Sequence, residues 1–168
     1  MLKSGDAVVY KCRGVYKIEE IGTLNFSFAD RKRKYYTLQS VDNSRDRAYV
    51  PIDDVSNLRQ PVSKEEALAL IGRLDEIEIL GIPNEKYREQ EYKNCISGYR
   101  PENWVRVLKT LYKRTKIRGS MTSMDKKYQM LLEHALFSEF AFSLGISKED
   151  IPEFIQKQKD IKGEQRGK

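Results

Sequence analysis

Apolar residues alternate along the first fifty-odd positions of this 168-residue chain and then, past Arg59-Gln60-Pro61, recur at helical spacing. That change of period constrains the fold more than any other feature. A period of two buries one face of a strand, whereas a period of about 3.6 buries one stripe of a helix. Ahead of the break, four runs carry β-branched or aromatic residues: Gly5–Tyr10, Gly14–Ile21, Lys34–Leu38 and Ala48–Pro51. Gly, Asn, Asp or Ser punctuates the gaps between them, as strand ends require. The expectation is an α+β protein, with a small antiparallel Tudor-like or SH3-like β module followed by an all-α domain.

Helix signals dominate the second half. Ser63-Lys64-Glu65-Glu66 is a capping box, and Ala67, Leu68, Leu70 and Ile71 lead to Gly72 as a stop. A second helix is expected after Pro83-Asn84 and ends at Gly98, with Tyr87, Tyr92, Cys95 and Ile96 as its burial candidates. Pro101 suits the first turn of a third helix that runs to about Ile117, with Trp104, Val107 or Leu108, and Leu111 on its apolar stripe. Thr122 and Asp125 open a fourth, carried by Tyr128, Leu131, Leu132, Ala135, Leu136 and Phe142 to Gly145. A short helix after Ser147 docks through Ile151, Phe154 and Ile155, and Gln158 to Lys168 reads as a polar tail. The expected domains are therefore residues 1–60, 61–157 and a flexible 158–168.

Several function classes fall away. No apolar run approaches the roughly 18 residues of a membrane span, and Met1 to Asp6 lacks a signal-peptide core, so a cytoplasmic location is expected. Cys12 and Cys95 are far apart and form no metal or redox pair. His134, the one histidine, sits within a helical apolar pattern and reads as structural. There is no Gly-rich phosphate loop, metalloprotease motif or nucleophile elbow. Carboxylate pairs such as Asp53-Asp54 and Glu65-Glu66 fall at turns and helix starts, where negative charge is favoured. Neither catalysis, a metal, a cofactor nor a small-molecule substrate is expected.

Charge is the remaining signal. The net charge is +6, yet residues 100–130 alone hold nine cations against two carboxylates. Arg106, Lys109, Lys113 and Lys116 follow one another by three, four and three positions and make one helical stripe, flanked by Arg114 and Arg118. Such a stripe tracks a phosphate backbone or simply faces solvent, and the near absence of acid favours the former. Arg31-Lys32-Arg33-Lys34, between the second and third strands, serves either as a contact for nucleic acid or an acidic protein surface, or as a solubilising loop that blunts a sheet edge. Tyr10 and Tyr35-Tyr36 fit the strand alternation and carry no ribonucleoprotein signature.

In order and spacing these residues resemble the CarD family of bacterial transcription regulators, whose N-terminal domain is shared with the transcription-repair coupling factor. The matching motifs are Gly5-Asp6-Ala7-Val8-Val9-Tyr10, Gly14-Val15-Tyr16-Lys17-Ile18, Tyr35-Tyr36-Thr37-Leu38 and Tyr49-Val50-Pro51, and the resemblance extends to about residue 157 through Trp104–Tyr112 and Glu139–Ile146. It implies a strongly bent Tudor-like sheet that pairs, edge to edge, with a lobe of the RNA polymerase β subunit. Arg47, Ala48 and Tyr49 are the implied contacts, with Thr23 and Leu24 from the neighbouring hairpin. It also implies a helical domain that lies on promoter DNA and stabilises the open complex. Studied members place a tryptophan wedge ahead of the second helix of that domain. The matching Gly81-Ile82-Pro83-Asn84 has no aromatic residue, so contact is expected along the backbone, through Lys86, Arg88, Lys109, Lys113, Arg114, Lys126 and Lys127. The competing reading is a free-standing RNA- or DNA-binding protein built on a Tudor-like barrel.

Overall fold

The alternating runs become strands. In the computed structural model, which describes residues 1–167, one unit comprises Met1–Pro61 and a second begins at Val62. The first holds strands β1 (Ala7–Tyr10), β2 (Val15–Thr23), β3 (Lys34–Ser40), β4 (Arg47–Pro51) and β5 (Leu58–Arg59) in one antiparallel sheet of order β4-β3-β2-β1-β5. The two-residue β5 was not anticipated, because a strand that short has no period to read.

Alternation places Val8, Tyr16, Ile18, Tyr36, Leu38, Ala48 and Val50 in one core, sealed by Leu2, Tyr10, Ile52 and Leu58. Each large side chain buried there contributes roughly 1.5–3 kcal/mol relative to exposure. The β1–β2 turn closes through Gly14, whose φ of 111° lies in the region that side chains avoid. A register shift between Ile18 and Glu20 marks a bulge in β2, the usual device for bending a small sheet. Tyr16 donates its buried hydroxyl to Asp46, which also pairs with Arg13. Burial, followed by the Asp46 hydrogen bond, pushes the Tyr16 hydroxyl well above the ordinary phenol range.

The second unit is helical throughout: α1 (Lys64–Gly72), α2 (Arg88–Ile96), α3 (Pro101–Arg118), α4 (Ser123–Leu144) and α5 (Ile151–Arg166). The Ser63 capping box is present in full, Thr122 caps α4 through the Asp125 amide, and Pro101 occupies the first turn of α3. Residues 83–87 begin differently from expectation. Asn84 caps a one-turn 3₁₀ segment, Glu85–Tyr87, and α2 starts only at Arg88. Helix α5 continues to Arg166, through most of the stretch read as a tail.

Helix α4 packs against α1, α3 and α5 and is the central element. Trp104, Leu111, Leu132, Phe140 and Ile151 are buried about it, as expected for Trp104 and Leu111. Phe142 and Leu131, expected in this core, are partly exposed, because a helix with neighbours on three sides still leaves one edge open. The buried Glu139 accepts from the Val62 amide at 2.9 Å, and the Val62 carbonyl accepts from Ser143 Oγ at 2.6 Å, so α4 holds the first residue of the unit at both backbone groups. His134 lies against Lys148 Nζ, in keeping with a structural role.

Candidate functional site: an open sheet edge and a basic helical face

Strand β4 ends the sheet, and its ladder tells which groups it leaves outward. The Ile52 amide donates to the Lys34 carbonyl and the Ser40 amide to the Asp46 carbonyl, in register with Leu38↔Ala48 and Tyr36↔Val50. Even-numbered residues of β4 therefore bond to β3. Alternation then turns the N–H and C=O of Arg47 and Tyr49 toward the open edge, until Pro51, which has no N–H, ends the row. The Arg47 and Tyr49 side chains stand on the face opposite the core, while Ala48 points inward and is buried. Ala48, expected as a contact, is thus a core residue whose backbone is engaged with β3. Arg47 is pinned by Gln39 Oε1 at 3.0 Å and by Glu19 at 3.5 Å. Thr23 and Leu24 border a shallow cleft of about 270 Å³ with Glu20, Ile21, Gly22 and Thr37.

Two residues beside this edge were not anticipated. Phe26 and Phe28, in the β2–β3 loop, stack with centroids 5.1 Å apart and planes 9° from parallel. Both rings also meet Tyr49, at 5.2 and 6.2 Å. Phe28 remains 73% exposed and Phe26 41%. Within a loop no hydrophobic period exists, so the only sequence signal is two phenylalanines, one residue apart, in a polar stretch.

In the helical unit, neighbouring backbone claims much of the expected cationic stripe. Residues 74–80 include a turn and irregular chain whose carbonyls need donors. Lys109 Nζ donates to the carbonyls of Leu74 and Ile77, Arg106 Nε to that of Glu78 at 3.2 Å, and Thr110 Oγ1 accepts from the Leu80 amide. Arg88 and Arg114 are likewise occupied. Both pair with Glu85 and with Asp125, at 3.3 Å from Arg88 Nε and 3.2 Å from Arg114 Nε, and their side chains are only 11% and 14% exposed. Asp125, 1% exposed, also accepts from the Tyr92 hydroxyl at 3.0 Å. Arg114, through its hydrogen bond, holds the Glu85 carboxyl below its ordinary range, and burial raises the Tyr92 hydroxyl. Arg88, Lys109 and Arg114, all expected as DNA contacts, are therefore internal ties.

Lys86, Lys113, Lys116, Lys126 and Lys127 are exposed. Lys113 and Arg118 rim a cleft of about 580 Å³ that also includes Ile79, Ile82 and Ile117. Lys126 and Lys127 stand on the first turn of α4, Lys127 over the Tyr128 ring at 5.4 Å. Tyr87, expected to be buried, is exposed beside Lys86, whose ammonium lies 5.9 Å from its ring.

The N-terminal unit thus carries β4 at one edge of its antiparallel sheet, and the second unit presents exposed lysines on its helices. Residues 2–62 match the CarD-like/TRCF RID domain, a domain family that binds the RNA polymerase β subunit. No curated protein matches the chain. Among the described residues no helix is long and apolar enough to cross a membrane.

Proposed function

We propose that this protein is a bacterial, cytoplasmic, non-enzymatic transcription regulator that docks on RNA polymerase and touches promoter DNA, altering the stability of the open complex. What carries the reading is the family match of residues 2–62 together with the open β4 edge in that same unit. A strand of the β lobe adds beside β4, taking the outward backbone groups of Arg47 and Tyr49, with Thr23 and Leu24 at the border. Lys86, Lys113, Lys116, Lys126 and Lys127 supply phosphate contacts that position without reading sequence.

Docking makes weak DNA contacts sufficient. A non-specific site with a Kd of roughly 10⁻⁴ M is almost empty at cellular protein concentrations. Tethered at an effective concentration of about 1 mM, the same site is about nine-tenths occupied. The regulator thus needs no sequence preference of its own, because the polymerase chooses the promoter.

Capture by purified core polymerase and by its isolated β lobe tests the reading. Arg47→Ala keeps the outward N–H and Arg47→Pro removes it, and neither touches the β3 ladder. Arg47→Pro should bind more weakly than Arg47→Ala. Wild-type protein that binds neither polymerase nor lobe, yet shifts naked RNA or DNA tightly at moderate salt, would refute docking in favour of a free-standing nucleic-acid binder.

A further inference from the structure

Two exposed phenylalanines in face-to-face contact are costly to leave in water, and exposed apolar patches of this kind mark interaction sites. Phe26, Phe28 and Tyr49 form a three-ring cluster on the outer face of the N-terminal sheet, and Tyr49 belongs at once to the cluster and to the β4 edge. The loop that carries the phenylalanines is shaped by its own hydrogen bonds. The Ala29 amide donates to the Phe26 carbonyl, the Lys32 amide to Asp30 and the Asp30 amide to the Tyr35 hydroxyl. Phe28 is the most exposed aromatic residue of the unit, although its ring meets Tyr49 of β4.

We infer that this cluster is the energetic anchor of docking: it receives an aliphatic side chain from the polymerase lobe segment that lies along β4, while the strand pairing itself sets register. The inference rests on the docking reading above. Continuity supports that occupant, because any chain that pairs with the outward groups of Tyr49 passes beside the Tyr49 ring and hence the two phenylalanines. Charge supports it as well. Arg31, Lys32 and Lys34 are exposed on the same loop and β3 start and make no ion pair among the described residues, and Arg33 is tied to Asp53. An apolar cluster with exposed cations on the same loop suits an aliphatic side chain flanked by carboxylates and disfavours a basic surface. Rigid aromatic anchors at the centre of an interface dominate affinity, whereas backbone pairing at an edge is nearly sequence-blind.

The test is a titration of the full chain against the isolated β lobe of bacterial RNA polymerase, followed by isothermal calorimetry. Phe26→Ala and Phe28→Ala together should weaken binding about tenfold or more. Phe142→Ala, an exposed phenylalanine of the helical unit, should leave it unchanged, and circular dichroism should show both variants folded. If wild type binds the lobe and the double variant binds within about twofold of it, the anchor is wrong and docking stands. If wild type fails to bind, docking falls and the anchor falls with it. Sedimentation velocity supplies the remaining outcome: a wild-type dimer that the double variant abolishes, with lobe affinity intact, would assign the cluster to a second copy of this chain and overturn the inference.

Discussion

Asp125→Ala should unfold the helical unit far more readily than its single methylcarboxylate suggests. The carboxylate is 1% exposed and accepts from two guanidiniums and one phenol, through Arg88 at 3.3 Å, Arg114 at 3.2 Å and Tyr92 at 3.0 Å. Its removal leaves both arginines, nearly buried, with only Glu85, an exposed partner, to balance them. Breaking a buried pair by deleting one member costs ~3–5 kcal/mol, because the remaining charge cannot return to water. For a unit of about 100 residues, each kcal/mol lowers Tm by roughly 4–8 °C, so a fall of at least about 12 °C is expected. Trp104 is the only tryptophan and is fully buried in α3, so its fluorescence reports this unit and not the sheet. Asp125→Asn, which keeps the acceptor for Tyr92, should fall between wild type and Asp125→Ala. A loss below about 1 kcal/mol for Asp125→Ala would show that water already reaches these guanidiniums, and the tie between α2, α3 and α4 would not be a stabilising one.

Acid should find the same network. Glu85 is held below its ordinary value by Arg114 first, so it contributes stability above that ordinary value of 4.5 that is lost as pH falls through its lower folded value. Glu85→Gln should flatten the stability profile of the helical unit below that pH, as followed by Trp104 fluorescence. Ser63→Ala removes the oxygen that accepts from the Glu66 amide and should cost about 1 kcal/mol in urea unfolding. In DNA titrations across salt, each of Lys113→Ala, Lys116→Ala and Lys126→Ala should reduce the slope of log K against log salt by about 0.9. Lys109→Ala should instead destabilise the helical unit with little change in slope, since its ammonium already serves the Leu74 and Ile77 carbonyls.

Strands and caps were legible because their signals are local. The Ser63 box, Thr122 with Asp125, Pro101 and the alternation in β1 to β4 depend on residues within a few positions of one another. The basic face was legible in composition but not in availability. Spacing places Arg106, Lys109, Lys113 and Lys116 on one side of α3, yet the carbonyls of Leu74, Ile77 and Glu78 that take donors from Arg106 and Lys109 lie some thirty residues away in a turn and irregular chain, which no period announces. Tyr87 and Tyr92 looked alike as apolar marks on one helix. They part because α2 starts a turn late, which leaves Tyr87 on a 3₁₀ segment in solvent and Tyr92 under Asp125. Phe26 and Phe28 lay outside every pattern, since a loop residue's neighbours come from tertiary structure alone.

Pro51 carries one more consequence. An exposed strand edge is a template on which any extended chain can grow, including another copy of the same protein, and long flat edges seed fibrils. Here the open row of donors is bounded by a proline after two outward residues and begins with a charged arginine. Such an edge is too short to template its own propagation, yet long enough for a partner that brings an anchor of its own. A docking strand of this kind can stay bare without inviting copies of the same chain to pair on it.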